Sequence, residues 1–460
     1  MRVSSLRAGI AATVLLSAAM VAIVAADAGA QTSSAAPTTP VRLDAARRRA
    51  VVDTLGARLR RHYVDADTGA MIADRVRARL TAGAYDTITS PARFAEALTV
   101  DLRSVNGDRH LNVTYAPQSP GARPGPEGIR MPPLPPALPT RLGAVPDPVR
   151  RTNYGLGRID VLPGNVGYLD IRGFSGAANV VSAIRSALEY LQGTDAIIFD
   201  LRRNGGGSPF SVNAIISHFT TDDTVASLTV KNRSGNQEFT RYTYASVPGP
   251  RRPTVPLYVL TSGATASAGE DFTFVLKNMK RATIVGGTTA GAGHNNANMD
   301  IGEGFNASLS FTRVTDPKTG AEWERIGVTP DVPVDQARAL EVAHALALKT
   351  IAAKETDERW RRVLDLTREG IEAQASPRTV AVATLAGYAG AYEGGRTATV
   401  DAGRLMFSPR PGAPPEPLVP QTDSTFALGA TRVAFERDAG GARLRITPVE
   451  GEALTYGRVK

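Results

Sequence analysis

The spacing of apolar residues changes three times along the chain. Between 41 and 115 it is helical. Leu55, Leu59 and Tyr63 recur every four residues, and Phe94, Leu98 and Leu102 do so again behind Ser90-Pro91. Serine is a good N-cap, and proline suits the first helical position. Asn106-Gly107-Asp108-Arg109-His110 then reads as a turn, and Leu111-Asn112-Val113-Thr114-Tyr115 alternates as a strand does. Over 116–155 proline and glycine dominate, as in Pro132-Pro133-Leu134-Pro135-Pro136, which predicts an extended linker.

Short apolar runs next alternate with helical stretches. Strands are predicted at 166–171, 196–199, 257–260 and 283–285, with helices over 177–191 and 212–219, one following Ser267, and a longer one over 336–349. This order predicts an α/β core at 156–353, followed by a helical connector at 354–376. From 377 to 460 the pattern becomes short strands separated by Gly and Asp turns: 397–400, 404–407, 425–428, 432–436 and 443–448. A small antiparallel β domain is expected there.

The first thirty residues stand apart. Arg2 and Arg7 precede an uncharged apolar stretch over 8–26, and Ala28-Gly29-Ala30 offers a cleavage pattern before Gln31. Residues 1–30 therefore read as a signal peptide, the mature protein as periplasmic or secreted, and membrane contact as confined to that segment. Composition adds exclusions. The 460 residues are 42% hydrophobic and 21% charged, ordinary for a globular protein of several domains. There is no cysteine, so thiolate catalysis, disulfides and Cys-based zinc sites are ruled out. The net charge of +9 contains no dense basic block with interleaved aromatics, so no nucleic-acid partner is expected. No metal and no cofactor are expected either.

Two stretches carry candidate chemistry. Thr265-Ala266-Ser267-Ala268-Gly269-Glu270 lies between an apolar strand and a helix. A serine at such a turn projects at a helix N-terminus, where free amides and the dipole favour developing negative charge. Locally, the same serine could be only an N-cap. Asp200-Leu201-Arg202-Arg203-Asn204-Gly205-Gly206-Gly207 follows a buried strand. Its glycines permit close backbone approach and an anion-binding concavity, yet the Lys-Ser/Thr of a phosphate loop is missing.

In combination, Asp-Leu-Arg-x-Asn-Gly-Gly-Gly, Thr-Ala-Ser-Ala-Gly-Glu and Ile-Val-Gly-Gly-Thr-Thr-Ala-Gly resemble the S41 peptidases. That group includes the C-terminal processing proteases, the tricorn protease core and the interphotoreceptor retinoid-binding protein modules. The resemblance spans roughly 41–353 and implies a ClpP/crotonase-like core, serine peptidase activity and a peptide or protein substrate. Processing proteases of the group use a Ser-Lys dyad. Here Thr288-Thr289-Ala290-Gly291-Ala292-Gly293 puts alanine at the lysine position, and Lys277 and Lys280 lie roughly 15–20 Å along the helix from Ser267. No PDZ domain is expected between helical region and core.

The tricorn-like branch implies instead a triad of Ser267 as nucleophile, His110 as base and Glu324 as the carboxylate behind it. Glu324 stands in Trp323-Glu324-Arg325-Ile326-Gly327-Val328. Ala268, Gly205 and Gly206 would supply the oxyanion amides. His294, in Gly293-His294-Asn295-Asn296, is the alternative base. The remaining histidines, His62, His218 and His344, fall in helix-like segments, where structural roles are expected. The alternative function is a non-catalytic module that binds a hydrophobic ligand, as in the retinoid-binding modules. An α/β-hydrolase reading fails because the elbow lacks Gly-x-Ser-x-Gly.

Overall fold

The computed structural model describes residues 43–460 apart from 117–146 and positions 178, 222, 234, 377, 439, 440, 450 and 460. The segment expected to be a signal peptide and most of the expected linker therefore lie outside the described residues.

Three helices, Ala45–His62, Ala66–Thr81 and Pro91–Asn106, open the described chain. Each begins where an oxygen can take an otherwise unpaired amide. Asp44 accepts from Arg47 N at 2.9 Å, Asp65 from Thr68 N at 2.8 Å, and Ser90 from Arg93 N at 3.4 Å. The third helix stops at Gly107, whose φ of 72° is easy only for glycine. The apolar faces read from the sequence converge. Leu55, Leu59, Tyr63, Phe94, Leu98 and Leu102 pack in one cluster with Phe305, Ala307 and Leu309.

Those last three belong to an antiparallel sheet that the sequence pattern did not reveal. Its order is Asn112–Tyr115, Phe305–Thr315, Ala226–Asn232 and Gln237–Tyr242, with Asn295–Gly302 also paired to Phe305–Thr315. Asn295–Gly302 escaped notice because its sequence, Asn-Asn-Ala-Asn-Met-Asp-Ile-Gly, holds few apolar residues.

The expected α/β core is built on a six-stranded sheet. Its order is Val332–Pro333, Ala282–Gly286, Leu257–Thr261, Ala196–Asp200, Val166–Ile171 and Leu156–Leu162. All neighbours are parallel except the last pair. Alternate side chains of its strands enter two different cores, as a sheet covered on both faces requires. Leu169, Ile197, Phe199 and Val259 pack under the helices Val180–Tyr190, Pro209–Ser217 and Ala268–Asn278. Tyr168, Ile198, Tyr258 and Leu260 face the helix Ala339–Ala352 and Leu364 of the helix Glu358–Ala375. Two helices begin elsewhere than the periodicity suggested: Pro209 starts one three residues early, and the helix expected over 177–191 is shorter.

The C-terminal part holds two small antiparallel sheets around Tyr388, Tyr392, Phe407, Phe426 and Phe435. Tyr388 stacks on Phe435 with ring centres 4.6 Å apart. The helix Glu358–Ala375 bears directly on the second of these sheets. Arg432 donates to Glu369 at 2.6 Å, and a Cβ added to Gly370 would lie 2.2 Å from Gly429 O. Among the described residues, no helix is long and apolar enough to cross a membrane.

Candidate active site

The strand Leu257–Thr261 ends in a turn that is wired to the neighbouring glycine loop. Thr265 Oγ1 donates to Leu201 O at 2.7 Å, Ser262 Oγ to Arg202 O at 2.6 Å, and Ala266 N to Asn204 O at 2.9 Å. Ser267 follows with φ 53° and ψ −118°, immediately before the helix Ala268–Asn278. A non-glycine residue held at positive φ costs about 1–3 kcal/mol, so the surroundings must enforce it. They do so through Glu270, which is fully buried. Its Oε2 accepts from Ser267 N at 2.9 Å and from Ala292 N at 2.8 Å, while Oε1 accepts from Gly291 N and Thr289 Oγ1, both at 2.6 Å. The amides of Ser267 and Ala292 thus share one oxygen atom, and the loop over 288–294 is fastened to the serine.

The glycine loop closes on the same serine from the other side. Gly206 has φ 112°, and a Cβ there would meet Ser267 Cβ at 2.8 Å and Ala268 N at 3.2 Å. The Gly206 amide already donates to Asn204 Oδ1 at 2.8 Å. Ala268 N, in the first turn of its helix, has no partner within that helix to claim it. A Cβ on Gly205 would meet nothing within 4 Å.

A second cluster forms around two carboxylates. Asp108 is fully buried at the end of the helix Pro91–Asn106. It accepts from His110 N at 2.8 Å and Tyr63 Oη at 2.9 Å. Burial works to raise its pKa, but His294, the Ser310 hydroxyl, the His110 amide and the Tyr63 hydroxyl act the other way and hold it at about 2. Glu324 is 8% exposed and accepts from Gly293 N at 2.6 Å and His294 N at 3.1 Å. Burial, and after it the neighbouring Asp108 charge, push its carboxyl upward against the pull of His294. The same burial pushes the Tyr63 phenol upward, helped by Asp108.

His294 sits between the two acids, its Nδ1 at 3.7 Å from Glu324 Oε2 and 3.9 Å from Asp108 Oδ2. Of the two candidate bases, this is therefore the ring that Glu324 approaches. His110 is tied to Asp108 through its backbone amide. Its Nδ1 is buried without a hydrogen-bond partner, and burial lowers the imidazole pKa against the opposing pull of the Asp108 charge, with the nearby His294 and Arg103 adding to the lowering.

The other groups singled out from the sequence have structural partners. Arg202 is paired to Asp200 at 2.6 Å, and Tyr168 Oη donates to Asp200 at 2.7 Å. His218 Nδ1 meets Pro250 O, and His344 Nε2 meets Pro163 O. Lys277 sets its ammonium against Asp331 at 3.1 Å. Two residues carry the site's geometry without having been assigned a role from the sequence. Glu270 was visible as the fourth residue of Ser-x-x-Glu, the spacing of a capping box. Asp108 gave no local signal beyond its place in a turn, because its partners Tyr63, Glu324 and His294 are far from it in the chain.

The sequence model for peptidase family S41 matches residues 165–334, and that for the N-terminal domain of peptidase S41 in eukaryotic IRBP matches 43–150. The match to peptidase family S41 thus falls on the core of this chain, and the match to its N-terminal domain on the helical region before it. The first region contains the glycine loop, Ser267, Glu270, His294 and Glu324, and the second contains Tyr63, Asp108 and His110. Among curated relatives, carboxyl-terminal-processing peptidase 2, chloroplastic, of Arabidopsis thaliana is 30% identical over 188 residues, covering 39% of this chain and 35% of that protein. A carboxyl-terminal-processing protease of Synechocystis sp. is 33% identical over 181 residues, covering 38% and 40%. This chain thus spans less than half the length of the curated relatives it matches. Among solved structures, a lipoprotein from Streptococcus agalactiae aligns with a TM-score of 0.46 at 16% identity, over 68% of this chain and 100% of that one. The photosystem II D1 C-terminal processing protease aligns with a TM-score of 0.39 at 19% identity, over 63% and 93%.

Proposed function

We propose that this protein is a serine peptidase, exported on its first thirty residues, that hydrolyses peptide bonds at Ser267 within a ClpP/crotonase-like core. The observation that carries the reading is the conformation of Ser267. A positive φ at a helix N-terminus, held by Glu270 and pressed by Gly206, presents the hydroxyl where helix amides can meet an oxyanion. In this reading Ser267 Oγ attacks the scissile carbonyl and an imidazole takes its proton. Ala268 N and an amide of the Gly205–Gly207 stretch hold the oxyanion. The imidazolium then protonates the leaving amine, and water repeats the sequence to release the acyl product.

Two histidines compete for the proton. The position of Glu324 and Asp108 beside Nδ1 favours His294, because a carboxylate behind one ring nitrogen stabilises the imidazolium formed at the other. Its loop is also the one that Glu270 fastens to Ser267. His110 is the second reading. Burial keeps its ring neutral at neutral pH, as a proton acceptor must be, and Glu324 would then act through His294. A fluorophosphonate probe tests the nucleophile. The wild type should label and Ser267→Ala should not. Absence of labelling in the folded wild type would overturn the peptidase reading and leave a hydrophobic-ligand-binding module.

A further inference from the structure

Asp108, His294 and Glu324 stand at distances that hydrogen bonding alone does not explain. The Nδ1 atom of His294 is buried and has no hydrogen-bond partner, although two carboxylate oxygens lie 3.7 and 3.9 Å away. Those separations exceed any hydrogen bond. One ligand atom from each of the three residues falls within 4.8 Å of the others. In a tetrahedral zinc site, with nitrogen and oxygen ligands at about 2.0–2.2 Å, neighbouring ligand atoms are roughly 3.3–3.5 Å apart. A few tenths of an ångström of inward movement brings both His294–carboxylate separations into that range.

The surroundings match what a metal site requires. Both carboxylates are anchored by other groups, Asp108 by the Tyr63 hydroxyl and the His110 amide, Glu324 by the amides of Gly293 and His294. Such anchoring orients ligands and lowers the cost of assembling them. Access exists as well. A cavity of about 220 Å³ is lined by His294 and Glu324, with Asp65, Glu322, Arg313 and Arg325 around them, so an ion can reach two of the three ligands from it.

We propose that Asp108, His294 and Glu324 bind a divalent transition-metal ion of the zinc class, with the fourth position left for water. An imidazole with two carboxylates suits zinc and its neighbours better than calcium or magnesium, which take oxygen ligands. The ion has a chemical consequence. Coordination through Nδ1 leaves the neutral ring's single hydrogen on Nε2. That nitrogen cannot accept the Ser267 proton, so a loaded site holds the peptidase off. Metal binding itself needs no peptidase activity; the silencing effect rests on the reading of His294 as base.

The test is calorimetric titration of zinc chloride into the full chain, with cobalt(II) absorption reporting tetrahedral coordination. One equivalent should bind with a Kd in the micromolar range or below, and binding should weaken at least about 30-fold in both His294→Ala and Glu324→Gln. Circular dichroism checks that each variant is folded. Should one fail to fold, the other carries the comparison. No uptake at about 100 µM zinc, or binding unchanged in a folded variant, overturns the site. Peptide hydrolysis is read in parallel. Loss with zinc and recovery with a chelator supports silencing. Tight zinc binding with undiminished hydrolysis keeps the metal site and removes His294 from the role of base.

Discussion

Replacing Glu270 with glutamine tests whether the nucleophile is held by the loop across from it. Each carboxylate oxygen accepts two hydrogen bonds from groups that can only donate in their present geometry, or are already committed as acceptors. The Thr289 hydroxyl that donates to Oε1 itself accepts from Val328 N at 2.7 Å. Glutamine keeps the shape but turns one oxygen into an NH2. Placed at Oε2, that group faces the amides of Ser267 and Ala292; placed at Oε1, it faces the Gly291 amide and the Thr289 hydroxyl. Either way two buried donors lose an acceptor, at about 1–3 kcal/mol each, and the remaining bonds lose their charge assistance. The sum is roughly 3–5 kcal/mol, which for a chain of this size lowers the melting temperature by about 3–6 °C. Ser267 is then freed from its positive φ, and a displacement approaching 1 Å at the nucleophile costs about 100-fold in kcat/KM. Scanning calorimetry and steady-state hydrolysis of a fluorogenic peptide measure the two effects. A variant with wild-type melting temperature and wild-type kcat/KM would refute the claim that Glu270 enforces the serine conformation.

Further perturbations separate the parts of the site. Gly206→Ala places a methyl 2.8 Å from Ser267 Cβ at a φ of 112° and should lower both stability, by about 2–4 kcal/mol, and fluorophosphonate labelling; Gly205→Ala, with open space around it, should melt as the wild type does. His294→Ala and His110→Ala, compared by kcat on the same peptide, should differ, with the base losing about 1,000-fold or more and the other much less. Phe272→Ala removes a fully buried ring packed on Phe199 and Phe174 and should cost about 3–5 kcal/mol in denaturant titration with the site chemistry intact. Burial lowers the pKa of His110, His218 and His344, so the unfolded chain takes up protons first as pH falls below the ordinary imidazole value of about 6.5. Stability should therefore drop from pH 7 downward through that window. Glu324, raised by burial, opposes this with a single group, and a melting temperature higher at pH 5.5 than at pH 7.5 would contradict the sign.

Local periodicity was enough for the elements that bury one continuous apolar face. The helix Pro91–Asn106, the strands Val166–Ile171, Ala196–Asp200, Leu257–Thr261 and Ala282–Gly286, and the short C-terminal strands all lie where spacing placed them. So does the turn at Ser267, because strand, small residues and Ser-x-x-Glu are adjacent in the chain. The sheet containing Asn295–Gly302 and Phe305–Thr315 was not legible. One strand is largely polar, and the pairing that stabilises it lies in backbone bonds to distant segments.

The site divides the same way. Sequence determined which groups could do chemistry: Ser267, His110, His294, Glu324 and the glycine loop, with cysteine excluded altogether. It could not say which histidine faces an acid. That depends on the turn at Asp108 coming up against the loop before Asn295 and the segment at Glu324, the first and last of these lying more than two hundred residues apart. Burial there removes water as the competing partner, so the carboxylates answer to the nearest imidazole and amides. Tertiary packing alone sets those distances, and it put His294, not His110, between Asp108 and Glu324.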